Sequence, residues 1–280
     1  MTRIALATCA EYADLDVDDR LLLAPLARLG MTAEPAVWDD ATLDWARFDA
    51  VILRSTWDYP ERLDAFLVWV GRVPHLLNPP PMVRWNVDKH YLHEFAAAGV
   101  PIVPTVIIEP GQAPAEPDWP EVVVKPTVSA GSRDTARFLR DDARLIELVE
   151  RIQASGRAVM LQPYQAAVES AGETSLIYLD GRFSHAIRKG PLLPSDGSVT
   201  AELFAAEEIT PRIPPSVELT LGERVLELVA ARFGVPLYAR VDVLPGPLLI
   251  EVELVEPSLF LEHGPGAADR FARAIAGAVS

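Results

Sequence analysis

Only one cysteine, Cys9, occurs in 280 residues. No intrachain disulfide can form, so a reducing cytoplasm is the simplest home. Positive charge is also scarce: 25 Lys and Arg stand against 40 Asp and Glu, a formal net charge of −15. That balance argues against non-specific binding to nucleic acid or to an anionic membrane. It leaves room for a small anion held by a few local cations. No apolar run approaches the ~18 residues of a spanning helix. The N-terminal RIALATC runs into the acidic EYADLDVDD, which suits a first strand and loop rather than a signal peptide. The common phosphate loops, G-x-x-x-x-G-K-[ST] and G-x-G-x-x-G, are absent, and there is no internal repeat.

What is present is a globular composition, 50% hydrophobic and 23% charged, enough for two or three compact units. The 25 prolines fall mainly between elements, as in NPPP and EPGQAPAEPDWP. Residues 3–8, 32–38 and 50–54 read as strands, with helices over 18–30 and 61–71. This alternation predicts a parallel α/β unit over roughly residues 1–78. Its functional edge should be the carboxyl ends of the strands, where RSTWDYPER lies. Next come a helix over 85–98, strands over 121–125, 135–139 and 158–164, and a helix over 141–155. TSLIYLDGRFSHAIRK predicts a hairpin turning at Asp180-Gly181. A helix over 219–233, a second hairpin around Pro245-Gly246 and a last helix from about Gly266 complete an α+β, antiparallel remainder.

The second hairpin carries the sharpest signal. Glu251 and Glu253 alternate onto one face of the strand in LIEVELVEPS, with Ile250, Val252 and Leu254 opposite. Arg240 and Asp242 share a face of the partner strand. The turn leaves Asp242 opposite residue 250 or 251, depending on register. In the second case three carboxylates cluster. Same-face neighbours sit roughly 7 Å apart, and at an effective dielectric of ~20 two such charges repel by about 2 kcal/mol. Protonation, a basic partner or a hard cation such as Mg²⁺ would offset that; ordinary solvent-facing strand residues are the plain alternative. Upstream, Lys125 ends a strand beside the small-residue loop TVSAGS, a way to cradle phosphate. Lys89 lies in the helix over 85–98. An arginine at a strand end, Arg54, can grip a carboxylate in bidentate fashion, or it can pair with Asp58. His90 and His93 read as surface residues, His185 as structural, and Trp57 as core or pocket wall.

Taken in order, Lys89, Lys125 with its loop, LQPY, Gly172-Glu173, RVD and EVE resemble the ATP-grasp superfamily over essentially the whole chain after residue 80. The pattern LQPY…GETSLIYL…RVDV…IEVELVEPS is similar to the glutathione synthetase branch. RSTWDY, NPPPMVRWNVDKHYL and ELVEPSLFL look like the group around D-cycloserine synthetase, a cyclo-ligase acting on O-ureido-D-serine. The resemblance implies an ATP-grasp fold: a parallel α/β domain over 1–80 and two α+β subdomains, 81–160 and 161–280, that clamp ATP. It implies that Lys89 and Lys125 contact the phosphates and that Ser129, Gly131 and Ser132 close over them. Leu161, Gln162 and Tyr164 would meet adenine, and either Glu169 or Glu173 the ribose. Asp242, Glu251 and Glu253 would hold Mg²⁺. Arg240, and Arg188 with Lys189, would stabilise the transferring phosphoryl group. Arg54, Ser55, Thr56 and Asp58 are expected at the substrate, as are Glu256 and Ser258. The family has Asn where Glu253 stands, and its Asn-rich glycine loop is replaced by LLPSDGSVTAELFAAEE.

The function so implied is a ligase that activates a carboxylate as an acyl phosphate and joins it to a nitrogen of a small amino-acid-like substrate. The alternatives are an ATP-binding regulatory protein without turnover and a kinase that stops at a phosphorylated product. Dimers are common in the superfamily, so a homodimer fits the resemblance.

Overall fold

A computed structural model describes residues 2–114, 117–199 and 208–279 of the chain. The N-terminal part holds β1 (Thr2–Thr8), α1 (Val17–Arg20), α2 (Leu23–Arg28), β2 (Met31–Val37), β3 (Ala50–Leu53), α3 (Leu63–Val70) and β4 (Leu76–Leu77). The strands form one parallel sheet in the order β2-β1-β3-β4. β1 and β3 are buried on both faces, as a parallel sheet covered on each side requires. The helix expected over 18–30 is two short ones. Pro25 has no N–H to give Leu21, and its ring crowds that carbonyl, so the chain breaks between α1 and α2.

Then follow α4 (Pro80–Asn86), α5 (Tyr91–Ala97), β5 (Val106–Ile108), β6 (Glu121–Pro126), β7 (Ala136–Leu139), α6 (Ala143–Ala154) and β8 (Val159–Pro163). The four strands make an antiparallel sheet, β5-β8-β6-β7, with the apolar face of α6 packed on it. The helix expected over 85–98 is interrupted. Lys89 falls in the break, not in a helix, and its backbone N–H bonds the Thr127 carbonyl at 3.0 Å. Asp88 favours the break, because its side chain accepts the His90 N–H at 3.2 Å.

The last part holds α7 (Val168–Ala171), β9 (Glu173–Leu179), β10 (Arg182–Lys189), β11 (Ile209–Arg212), α8 (Ser216–Phe233), β12 (Tyr238–Leu244), β13 (Leu248–Glu253) and α9 (Ala267–Ala278). Its sheet runs β11-β10-β9-β12-β13, antiparallel throughout. Two cores tie it to the rest. Phe271 and Ile275 of α9 pack with Ile4 and Leu6 of β1 and with Tyr238 of β12. On the other face, Val225 and Val229 of α8 pack with Val241 and Val252, and with Tyr91 and Phe95 of α5.

A polar bolt joins the first and last parts. Arg54 is 1% exposed. Its Nε donates to Asp19 Oδ1 at 2.7 Å and its Nη2 to the Pro257 carbonyl at 2.7 Å. The guanidinium lies 5.3 Å from the Tyr238 ring centroid. Ser55 completes the pair by donating to Asp19 Oδ2 at 2.7 Å. Replacing Arg54 with Met strands a buried carboxylate, so Arg54→Met should lose about 3–5 kcal/mol. Urea unfolding measures this, and Asp19→Leu added to Arg54→Met should recover much of the loss.

Candidate active site

A cavity of about 440 Å³ is walled by all three parts of the chain. The N-terminal part contributes Trp57 and Tyr59, and the central part Lys125 and the 129–132 loop. β12 and β13 form the floor through Arg240, Asp242, Glu251 and Glu253.

The floor depends on one irregularity. From the turn, Leu244 pairs Leu248 and Val243 pairs Leu249. A regular ladder would next set Asp242 opposite Ile250. Instead a β-bulge intervenes and Asp242 pairs Glu251, with Arg240 opposite Glu253. The shift brings both glutamates to the face that carries Arg240 and Asp242. It also moves Ile250, expected on the opposite face, into the cavity wall, while Leu249 and Val252 turn into the core.

Acids and bases alternate across this floor. Lys89 Nζ pairs Glu251 Oε1 at 3.0 Å and reaches Ser129 Oγ at 3.1 Å. Lys189 Nζ stands 3.0 Å from Glu173 Oε1 and 3.5 Å from Asp242 Oδ2. Arg240 grips Asp242, with Nη2 2.9 Å from Oδ2, and also pairs Glu253. Among the described residues, Lys125 Nζ has no hydrogen bond or ion pair in the chain. Burial, seconded by Lys89 against the pull of Glu251, lowers its pKa. It is a cation facing a cavity without a bound counter-charge, which favours an incoming anion.

The carboxyls are tuned apart. Burial works to raise Asp242, but Arg240 and Lys189 outweigh it and bring its pKa to about 2. Burial likewise opposes Glu251, and Lys89 and Lys125 overcome it, leaving that group below its ordinary value. Burial raises Glu253 to about 7, reinforced by Glu251 and Asp242 and opposed by Arg240. Burial also raises Glu173, against Lys189.

Several expected site residues stand elsewhere. Arg54 and Ser55 are held in the bolt between the parts, Thr56 is buried next to them in sequence, and none of the three lines the cavity. The Arg54 partner is Asp19, not Asp58. Asp58 accepts from Trp38 Nε1 at 2.8 Å and pairs Arg62. Trp57 and Tyr59 of the same motif form the wall. Arg188 points away from Lys189, as strand neighbours must, and its Nε donates to the Ala171 carbonyl at 3.1 Å. Leu161 lies in the core under α6, so Val103, Val123 and Leu244 supply apolar wall instead. Gln162 and Tyr164 do line the cavity, but Pro163 has no N–H and that of Tyr164 bonds the Glu121 carbonyl at 3.1 Å. Glu173 lines the cavity; Glu169 does not, and pairs with Arg137 at 2.9 Å and the Tyr164 hydroxyl at 2.5 Å. Ser129, Gly131, Ser132, Glu256 and Ser258 all line it. Of the replacement loop, residues 200–207 lie outside the described residues.

The expected three-carboxylate metal centre is not preformed. Among the described residues, no three His, Cys, Asp or Glu side chains are grouped so as to hold a metal ion. The reason is electrostatic: each carboxylate leans towards a cation rather than towards its like-charged neighbours. The donor set still suits Mg²⁺, being all oxygen on one sheet face, provided phosphate supplies further ligands.

Sequence reasoning missed Asn86 and Tyr91, which hold β13 in place. Asn86 donates to the Val252 carbonyl at 2.7 Å and accepts from the Leu254 N–H at 2.6 Å. Tyr91 Oη donates to the Val252 carbonyl at 2.9 Å. An Asn in a helix that has little propensity for it was the available signal. Asp16 and Asp18, also in the wall, gave none beyond their helix-capping pattern.

Residues 4–78 match the family model for the N-terminal domain of D-cycloserine synthetase DcsG. The chain is 39% identical over 293 residues to the cycloserine biosynthesis protein DcsG of Streptomyces lavendulae, covering 98% of this chain and 97% of that one. The crystal structure of D-cycloserine synthetase DcsG superposes with a TM-score of 0.91 at 36% identity, over 99% of this chain and 100% of that one. The D-alanine–D-alanine ligase of Bacillus anthracis, solved with ATP, shares the fold at a TM-score of 0.69 and 16% identity, over 100% and 97%. The chain therefore belongs to the D-cycloserine synthetase family and is a ligase enzyme built on the ATP-grasp fold.

Proposed function

We propose that the cavity activates the carboxylate of a small amino-acid-like substrate with ATP and Mg²⁺, as an acyl phosphate, and joins it to a nitrogen. The observation that carries this reading is Lys125. It is a buried cation with no hydrogen-bond or ion-pair partner among the described residues, beside Lys89 and near carboxylates suited to a hard cation. Lys89 and Lys125 draw the phosphates, and Ser129, Gly131 and Ser132 lie over them. Gln162 and Tyr164 flank the base. Glu173 takes the ribose hydroxyls, since Glu169 stands outside the cavity. Asp242, Glu251 and Glu253 would hold Mg²⁺ jointly with phosphate oxygens, Lys89 passing from Glu251 to phosphate. When bound, the ion neutralises charge on the phosphates. Arg240 and Lys189 stabilise charge on the transferring group, and positioning contributes most of the rest.

Ring closure within one O-substituted serine is the form the family suggests. The clamp is proposed to divide after residue 80 and again after residue 160. Among the described residues, no helix is long and apolar enough to cross a membrane, in keeping with a cytoplasmic enzyme.

ADP release screened over small amino acids and O-substituted serines, with mass analysis of the product, tests the reading. Turnover should vanish with a chelator and return with Mg²⁺. Lys125→Ala and Glu251→Gln should each lower kcat by about 10²-fold, the scale of a lost electrostatic contact in a transition state, with the melting temperature held. Full activity in the double variant would sink both assignments. Glu173→Gln should raise the KM for ATP about tenfold, as for a lost hydrogen bond to a charged group. Glu169→Gln should leave KM within about twofold, the small effect of an exposed side chain.

A further inference from the structure

Glu256 takes no part in the alternating floor. It lies three residues beyond β13 and lines the cavity, yet is only 7% exposed. Its backbone carbonyl accepts from Trp57 Nε1 at 3.1 Å, which fixes it against the N-terminal wall. Among the described residues, no side chain gives its carboxyl a hydrogen bond or an ion pair. Its own backbone N–H is the one group that helps its carboxyl; a buried carboxyl with so little support is unfavourable, and it suits a ligand that brings further N–H groups. Burial, then Glu253, pushes its pKa well above the ordinary value, and Lys89 only partly opposes them. The charged and titratable groups that act on it or feel it are Glu251, Glu253, Lys89, Tyr59 and Tyr238.

The other carboxyls of the floor are each engaged by a cation. Asp242 and Glu251 are held as anions by Arg240, Lys189, Lys89 and Lys125. Glu173 faces Lys189 and Glu253 faces Arg240. We propose that Glu256 is the general base that takes the proton from the attacking nitrogen of the substrate. The inference rests on the reading of the cavity as a carboxylate–amine ligase. In the step, the nitrogen lone pair forms the C–N bond to the acyl carbon. The bond from that carbon to the phosphate oxygen breaks, its electron pair leaving on phosphate. The N–H proton passes to a carboxylate oxygen of Glu256 and later to water. A base serves best when its pKa approaches the working pH, which is the direction burial moves this one.

Hydroxylamine separates this role from others, because it is unprotonated at neutral pH and attacks an acyl phosphate unaided. Wild type, Glu256→Gln and Glu256→Asp would be compared with ATP and the carboxylate substrate selected by the screen above. Amide formation and hydroxamate formation are followed side by side. Glu256→Gln should lower amide formation by about 10²-fold or more, the range of general base catalysis, while hydroxamate formation stays close to wild type. Glu256→Asp should fall between, and the melting temperature of Glu256→Gln should match or exceed wild type. A parallel fall of amide and hydroxamate would overturn the base role, as would no fall in either. A wild-type enzyme that forms neither ADP nor hydroxamate would overturn the ligase reading, and this proposal with it.

Discussion

Everything in the cavity hangs on how the free edge of β13 is closed. β13 is the last strand of its sheet, and an open edge leaves backbone groups without partners. Here Asn86 and Tyr91 act as a surrogate strand, meeting Val252 and Leu254. The segment 101–103 continues the cover, with Val103 N–H on the Leu249 carbonyl and Leu249 N–H on the Pro101 carbonyl. Asn86 and Tyr91 flank the break between α4 and α5. Anchoring both to β13 therefore delivers Lys89, which sits between them, to Glu251. Backbone satisfaction and the charge pattern of the site are one arrangement.

That pattern explains how so many ionisable groups share a small space. A lone pair of charges 4 Å apart is worth about 4 kcal/mol at an effective dielectric of ~20, in either sign. Interleaving Lys89, Lys189 and Arg240 with Glu251, Glu173, Asp242 and Glu253 turns repulsions into attractions. Lys125 and Glu256 are the two groups that the alternation leaves over. In the proposed reading one attracts an anion and the other accepts a proton, and the members without a side-chain partner mark where substrates belong.

Local signals made much of this legible. β1, β3 and β6 were readable from apolar runs, the two hairpins from Asp180-Gly181 and Pro245-Gly246, and Lys89, Lys125, Asp242 and Glu251 from a recognisable order. Side-chain direction was harder to read. In RSTWDY the charged and hydroxylic residues suggested contact with a substrate, yet burial against Asp19 and Pro257 claimed Arg54 and Ser55. The aromatics of that motif face the cavity instead. Strand alternation likewise decided between Arg188 and Lys189, and no feature of the pair itself says which one faces in.

The sequence by itself determined that carboxylates recur every second residue in β13 and that Arg240 and Asp242 do the same in β12, because strand geometry has a period of two. It could not determine that the two sets share a face. A regular ladder from the turn would have put Asp242 opposite Ile250 and divided the acids between the two sides of the sheet. The bulge after Asp242 corrects the register by one residue. It is held by tertiary packing: Leu249 and Val252 are drawn into one core with α8 and α5, and Leu254 is fixed by Asn86, so part of the demand comes from residues more than a hundred positions away.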